Sequence, residues 1–412
     1  MAFKTSLANS GGIHLTADYQ WINADNTAEN GYDATTVSYS QTKIKASDGA
    51  ASDLFGRSVA VGSGRIVVGA YQDDDGGSSS GSAYIFDLDG TQLAKITASD
   101  GGFADYFGYS VAVGSGRIVV GAYGDDDNAS DSGAAYIFDL NGTQLAKIKA
   151  SDATGSDWFG RSVAVGSGRI CVGAYLDDDN GSASGSAYIF DLDGNQLAKI
   201  KASDGASNDN FGHSVAVGSG RIVVGSKGDG DDGLYSGSAY IFDLDGTQIA
   251  KITASDGASY ARFGETAAVG SGRIVVGAAY HNGPAGADSG AAYIFDLDGT
   301  QLAKISPSDV AGSDRFSFGL SVGSGRIVGG SWRDDDNGTS SGSAYIFDLD
   351  GTQLAKIKAN DAAAGDGLGI AVAVGSGRIV AGAYADDDNG SSSGSAYIWS
   401  TPNPKHTLDI LD

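Results

Sequence analysis

The stretch SVAVGSGRIVVGAYQDDDGGSSSGSAYIFDLDGTQLAKI, residues 58–96, decides the fold, because close copies of it follow along the chain. Its string Gly-Ser-Gly-Arg-Ile marks the period. The string begins at Gly62, Gly114, Gly166, Gly218, Gly270, Gly323 and Gly375, so successive copies are 52 or 53 residues apart. Seven copies at so regular a spacing predict a repeat architecture.

Each copy predicts four short β-strands. In the first copy these strands cover residues 58–61, 65–70, 82–87 and 92–97. The glycine-containing turns at 62–64 and 89–90 predict tight hairpins, because glycine accepts the positive φ that such turns need. No segment has a sustained period of 3.6 residues, so we expect the chain to be nearly free of helices.

Four antiparallel strands in about 50 residues are typical of a propeller blade. A single open sheet of 28 strands would be unstable and would expose long edges. The alternative repeat fold is a β-solenoid, which usually has a shorter period and parallel strands. We therefore predict an all-β, seven-bladed β-propeller with four antiparallel strands per blade.

The two ends of the chain predict how the ring closes. A fourth-strand pattern at 41–45 precedes the first complete copy, whereas the last copy ends after Trp399 without a fourth strand. We predict that residues 41–45 supply the outer strand of the last blade, beside Tyr397. The resulting organisation is an N-terminal arm over 1–40, a propeller over 41–400 and a C-terminal tail over 401–412.

Composition limits the partners. Asp and Glu number 51 against 26 Lys and Arg, for a net charge of -25. Such a chain repels nucleic acids and anionic membranes, so we expect no nucleic-acid partner. We expect no membrane insertion, because no stretch approaches the ~20 apolar residues of a membrane helix. The first residues show no apolar signal-peptide core.

The single cysteine, Cys171, aligns with Val67 and Val223 and is predicted to be a small buried side chain.

The repeated aspartates are predicted to make one face of the disc acidic. In an antiparallel blade the loop at 73–75 and the loop at 100–105 lie at the same end. Ca²⁺ takes 6–8 oxygen ligands, which such loops contain. The candidate Ca²⁺ ligands are Asp73, Asp75, Asp125, Asp127, Asp177, Asp179, Asp334, Asp336, Asp386 and Asp388. The alternative is turn formation and solubility, because neighbouring side chains in an extended segment point apart.

The segment SDGAASDLFGRSVAVGSGRIVVGAYQDDD, residues 47–75, resembles the FG-GAP repeat in its bacterial variant, with Phe55-Gly56 and Gly69-Ala70 as the two defining pairs. The resemblance covers about residues 41–399. Similar repeats form the seven-bladed head of integrin α subunits, so the resemblance implies extracellular adhesion or ligand binding. Integrin blades that bind calcium carry a D-x-D-x-D-G loop where this chain has residues 62–65. The integrin metal sites are therefore not carried over.

These observations predict a non-enzymatic binding or structural propeller with an extracellular or virion location. A phage virion appendage or decoration protein involved in attachment is the favoured interpretation. It would bind a protein or glycan ligand on the acidic loop face, and another virion or surface protein through the N-terminal arm. A bacterial cell-surface or secreted adhesin is the alternative.

An enzyme with its active site in the central channel is the third interpretation. Its only candidate residues are Glu265 and Arg315. The aspartates and serines are not candidates, because each of them belongs to a repeated series. His213 aligns with Arg57 and Tyr109 and is predicted to be a variable surface position. The regularly spaced Tyr84 is predicted to pack between blades.

Overall fold

The computed structural model describes residues 40–400, which form 28 strands joined by turns, without a helix and hence without a membrane-spanning one. In chain order, β1 to β14 are Gln41–Ile44, Ser58–Gly62, Arg65–Ala70, Ser82–Phe86, Gln92–Ile96, Ser110–Gly114, Arg117–Ala122, Ala134–Phe138, Gln144–Ile148, Ser162–Gly166, Arg169–Ala174, Ser186–Phe190, Gln196–Ile200 and Phe211–Gly218. The remaining strands, β15 to β28, are Arg221–Ser226, Ser238–Phe242, Gln248–Ile252, Thr266–Gly270, Arg273–Ala278, Ala291–Phe295, Gln301–Ile305, Gly319–Gly323, Arg326–Ser331, Ser343–Phe347, Gln353–Ile357, Leu368–Gly375, Arg378–Ala383 and Ser395–Ser400.

The strands form seven antiparallel sheets of four, which confirms the predicted seven-bladed propeller. In blade 1 the sheet order is β2-β3-β4-β5, and blades 2 to 6 repeat it. The first hairpin turns at Ser63 and Gly64, which both have positive φ. The second is held by the Asp87 carboxylate, which accepts the backbone N–H groups of Asp89 at 3.0 Å and Thr91 at 2.8 Å. Both hairpins of blade 1 are therefore fixed by local turn chemistry.

The chain closes the ring by sharing its last blade between its two ends, as predicted. The sheet order of blade 7 is β1-β28-β27-β26. β1 runs antiparallel to β28, with Gln41 opposite Trp399 and Lys43 opposite Tyr397. Arg378 of this blade donates from Nε to the carbonyl oxygen of Leu88 in blade 1, at 2.8 Å.

The core lies between neighbouring blades. At the junction of blades 7 and 1, the fully buried Tyr84 packs edge-on against Phe55 with ring centroids 5.5 Å apart, and Ile398 completes the cluster. The predicted inter-blade packing of this tyrosine is confirmed. Backbones also approach closely, because a β-carbon at Gly69 would overlap the carbonyl oxygen of Gly108. Cys171 is completely buried, as predicted, and burial raises the pKa of its thiol to about 12.

The first strand of every blade lines a central channel. Val59, Val61 and their counterparts in the other blades line much of the channel, around a cavity of about 210 Å³. At the channel end where the first strands begin, a second cavity of about 240 Å³ has polar and aromatic lining residues. We call this second cavity the channel mouth.

The structure does not describe residues 1–39 or 401–412. The predicted docking arm, apart from the exposed Ser40, and the predicted tail therefore lie outside the described residues.

Candidate functional site

A lysine from the outer strand lies at the centre of each acidic loop pair. In blade 1, Nζ of Lys95 is 2.7 Å from Asp48 Oδ2 and 3.0 Å from Asp73 Oδ2, and it also hydrogen-bonds to Asp75. The Tyr84 hydroxyl lies 2.9 Å from Asp48 and 3.0 Å from Asp73. The two aspartate-rich loops therefore meet on one face, as predicted, and a lysine and a tyrosine join them. We call this arrangement the Lys–Asp–Tyr cluster.

The cluster recurs around the ring. Its central lysines are Lys43, Lys95, Lys147, Lys199, Lys251 and Lys356, each bound to three aspartates. Blade 5 departs from the pattern. There His281 takes the place of the buried aspartate, with Nε2 3.3 Å from Asp256, and Lys304 binds the same carboxylate at 2.6 Å.

The cluster fixes the protonation state of its members. Burial opposes the charged form of Lys95, but the hydrogen bonds that its ammonium group donates to three carboxylates outweigh burial and raise the lysine pKa above its usual value. Burial likewise opposes ionisation of Asp48, and hydrogen bonds from Lys95 and Tyr84 outweigh it to lower that pKa. Burial and the nearby Asp73 raise the pKa of Tyr84. Each cluster thus holds an ammonium ion and a neutral phenol among carboxylates.

The three consecutive aspartates of a loop have three different roles. Asp73 is buried, accepts the Asp75 N–H at 3.1 Å and faces the lysine. Asp74 is exposed and accepts the N–H of Ser79 at 2.7 Å, which closes the loop. Asp75 is exposed and binds the lysine from the solvent side. The turn between them explains how side chains that would point apart in a strand come together.

The structure brings the candidate calcium ligands together in pairs. In each triplet the first and third aspartates converge on one point with an aspartate of the other loop, and the lysine ammonium occupies that point. Two clusters could hold a metal ion, because their carboxylate oxygens all lie within 4.8 Å of one another. They consist of Asp204, Asp229 and Asp231, and of Asp361, Asp386 and Asp388. The lysine was not among the residues predicted from the sequence, although it recurs at one position of every outer strand.

A second series of aspartates is buried beside the clusters. Asp314 is 5 % exposed and accepts the N–H of Ala311 at 2.6 Å. Burial raises its pKa to about 6, against that hydrogen bond and with help from Asp334 and Asp335. The other members are Asp53, Asp105, Asp157, Asp209 and Asp366, whose pKa values burial also raises.

The channel mouth is where the blades differ from one another. The residue two places after the repeated Phe lines it in every blade. The seven residues are Arg57, Tyr109, Arg161, His213, Glu265, Phe318 and Ile370. The prediction that His213 is a surface position is wrong, because this side chain is buried in the channel mouth. The signal in the sequence was that the residue at this one repeat position differs from blade to blade.

Lys227 contacts a histidine and a glutamate that line the channel mouth. Nζ of Lys227 lies 2.7 Å from Nε2 of His213 and 3.6 Å from Glu265 Oε1. Since the ammonium group can only donate, Nε2 accepts and Nδ1 carries the proton towards the Glu265 carbonyl oxygen at 3.2 Å. Burial, reinforced by Lys227, holds the pKa of His213 well below its usual value. Burial also lowers the pKa of Lys227.

Arginines also stack on tyrosines at the channel mouth and beside it. The guanidinium carbons of Arg57 and Arg161 lie 5.1 Å and 4.1 Å from the ring centre of Tyr109. Arg262 and Arg315 lie 4.3 Å and 4.6 Å from the ring centre of Tyr280. Of the two residues considered for a channel active site, Glu265 lines the mouth.

Arg315 belongs to the aromatic and basic surround of the mouth, where its guanidinium carbon also lies 5.9 Å from the ring centre of Trp332. Trp332 in turn contacts Phe318, which lines the mouth. The structure therefore places Glu265 and Arg315 on neighbouring parts of the same opening.

Comparison with known proteins identifies the repeat. A family model described as the FG-GAP repeat matches residues 39–86, 91–138, 143–190, 195–242, 247–295, 300–347 and 352–399. Each match contains the outer strand of one blade and the first three strands of the next, so the first match already includes β1. No curated protein matches the chain.

Proposed function

Because the chain belongs to the FG-GAP repeat family, we propose that it is a non-enzymatic propeller that binds a protein or glycan ligand outside the cytoplasm. In this proposal it is a structural part of a virion, an appendage or decoration protein involved in attachment. The FG-GAP propeller fold is typical of binding and structural roles, and the acidic loop face is the surface that meets the ligand.

The Lys–Asp–Tyr clusters carry this proposal. They bind each loop pair by several charge-assisted hydrogen bonds, such as those of 2.7 Å to 2.9 Å around Lys147. Charge-assisted hydrogen bonds are short and about twice as strong as neutral ones. The loops are therefore held in one conformation before a ligand arrives, which lowers the entropic cost of binding.

The chemistry of the loops supports binding rather than catalysis. Their convergent carboxylates are bound to an ammonium ion and a phenol, so they are not poised as bases. At the channel mouth, Glu265 is the one carboxylate among the described lining residues, whereas most glycosidases use a pair. Incubation of the full chain with a polymeric glycan should release no product, and turnover would favour the channel enzyme instead.

Calcium belongs to this proposal as a weak accessory ligand of the two clusters around Lys251 and Lys43. Their oxygens suit a hard cation, and their spacing would allow three carboxylates to contact one ion. Calcium must compete there with the lysine ammonium, which already binds all three carboxylates.

Attachment to another virion or surface protein through the N-terminal arm is the second contact that we propose. Its support is the sequence of residues 1–40, which departs from the repeat and contains Tyr19 and Trp21. Loss of particle association on deletion of 1–38, with the ring still folded, would support this contact.

Immunogold electron microscopy with antibodies to the full chain tests the location. Label on virions is the expected result. Label on the bacterial envelope would favour the adhesin alternative, and label confined to the cytoplasm would contradict both.

A further inference from the structure

The basic residues that belong to neither of the two repeated sets cluster at the channel mouth. Eleven lysines on or just after the outer strands face the aspartate clusters, and the arginines of the Gly-Ser-Gly-Arg turns lie at the opposite end of the blades. There Arg65, for example, donates to the Leu140 carbonyl oxygen at 3.1 Å. Six basic residues in the described part of the chain belong to neither set: Arg57, Arg161, Lys227, Arg262, Arg315 and Arg333.

All six lie at or beside the mouth. Arg57 and Arg161 line it, and Lys227 contacts the lining Glu265. Arg262 lies 4.0 Å from the same carboxylate. The other two stack on Trp332, which contacts the lining Phe318. A chain with a net charge of -25 therefore carries a cationic centre inside an acidic face.

Two of these arginines are poised to bind an anion. Neither Arg57 nor Arg161 forms an ion pair with a carboxylate of the described residues 40–400, and both stack on the face of Tyr109. Arg57 also donates to the Tyr109 hydroxyl at 3.1 Å. A stacked guanidinium is held in place and keeps N–H groups for bidentate contact with a carboxylate.

The size and surroundings of the mouth restrict the anion. Its cavity of about 240 Å³ is smaller than the roughly 300–1,000 Å³ of pockets for drug-sized ligands, so it suits a single ring. The ring of aspartate loops repels a dense polyanion such as nucleic acid. Tyr109 lines the cavity, Tyr123 packs edge-on against it, and Tyr175 packs against the lining His213. These half-buried rings combine apolar surface with a hydroxyl group, which matches a sugar ring better than a peptide chain.

We infer that the channel mouth binds a sugar residue that carries an isolated carboxylate, within an otherwise neutral glycan. Arg57 and Arg161 contact the carboxylate, and the tyrosines contact the ring. The inference rests on the proposed function as a binding propeller, and it names the glycan class and the place where it binds.

Titration calorimetry of the full chain with D-glucuronate tests the inference, with D-glucose, inorganic phosphate and a short peptide with a free C-terminal carboxylate as comparison ligands. Glucuronate should bind most tightly. Arg161→Gln should weaken its binding roughly 10- to 100-fold, the effect of losing a charged hydrogen-bond pair. Arg57→Gln should act in the same direction, and it keeps the test decisive if the first variant does not fold.

Lys149→Gln is the matched control, because it removes one positive charge from an aspartate cluster away from the mouth. It should leave glucuronate binding unchanged. Equal binding by the wild type and both arginine variants would overturn the inference. Phosphate, glucose or the peptide binding as tightly as glucuronate would overturn it too. If glucuronate fails while virion labelling succeeds, the inference falls and the proposed function stands.

Discussion

Lys43 lies opposite Tyr397 in the pairing of β1 with β28, and its ammonium group is 2.8 Å from Asp386. The two chain ends are therefore joined by backbone hydrogen bonds and by a Lys–Asp–Tyr cluster like those of the other blades. In blade 7 the structural closure and the acidic face depend on the same strand.

Removal of that strand should destabilise the ring. We expect deletion of residues 1–46 to lower Tm on the order of 10 °C more than deletion of 1–38, because the loss of a buried Ile44 alone costs about 2–5 kcal/mol. Differential scanning calorimetry of the two truncations measures the difference. Equal Tm values would contradict closure by β1.

The central lysine of a Lys–Asp–Tyr cluster should contribute more to the free energy of unfolding than a lysine at the edge of a cluster. Lys95→Met leaves three carboxylates without their cation, one of them buried, and should lower the free energy of unfolding by about 2 kcal/mol. Lys149→Met is the control, because Lys149 makes a more exposed pair with Asp127 at 3.4 Å and should cost at most about 0.5 kcal/mol. Urea denaturation compares them, and equal losses would refute a central role for the lysine.

The same substitution in another cluster should make the thermal stability of the protein more sensitive to Ca²⁺. Lys251→Met frees Asp204, Asp229 and Asp231, so we expect Ca²⁺ to raise the Tm of this variant at lower concentrations than that of the wild type. Thermal melts across a Ca²⁺ titration, with Mg²⁺ as control, measure it. A variant no more responsive than the wild type would argue that these carboxylates serve the turns alone.

Two aspartates should show opposite dependence on pH. The pKa of Asp314 is raised to about 6, so the folded state binds its proton more tightly than the unfolded state, and this group makes folding less favourable as pH rises from about 4 to 6. We therefore expect Asp314→Asn to raise Tm at pH 7, and the gain to vanish near pH 4.

Asp256 provides the contrast. Burial opposes its ionisation, but hydrogen bonds from Lys304 and Tyr293 lower its pKa to about 2. Its stabilising effect is complete above the unfolded pKa of 3.8 and is lost as pH falls towards 2. Asp256→Asn should therefore lower Tm at pH 7 and still lower it at pH 5. Tm curves of the same sign for both variants would contradict this assignment.

Replacing glycine by alanine should destabilise the protein to a different extent at different positions of the repeat. Gly69→Ala places a methyl group against the Gly108 carbonyl oxygen of the next blade, and we expect a loss of at least about 3 kcal/mol. Gly64→Ala has no atom within 4 Å and is strained only by its φ of 75°, a cost of about 1–2 kcal/mol. Chemical denaturation of the two variants tests the order, and a costlier Gly64→Ala would contradict the tight blade contact.

The strands and their number could be predicted from the sequence, because the turns contain glycine or aspartate and flank short apolar segments. The predicted 82–87 and 92–97 ended one residue later than the observed strands. Ring closure was predictable as well, since an outer-strand pattern stands at Gln41 and is missing after Trp399.

The side-chain partners could not be read in the same way. Lys95 is 20 residues from Asp75 and 47 from Asp48. The register of β4 with β5 places Lys95 beside Tyr84, and two separate loops bring the aspartates to it. The channel mouth was missed for a related reason. A repeat position that varies, such as His213, is equally consistent with solvent exposure and with a pore until the curvature of the ring is known.

The shared blade has a consequence for biosynthesis. Lys43 leaves the ribosome 343 residues before its partner Asp386, which at roughly 5–20 residues per second means a wait on the order of tens of seconds. Throughout that time the earliest strand has no mate, while six complete blades are being made behind it. We therefore expect conditions that shield this strand during synthesis to raise the yield of closed rings.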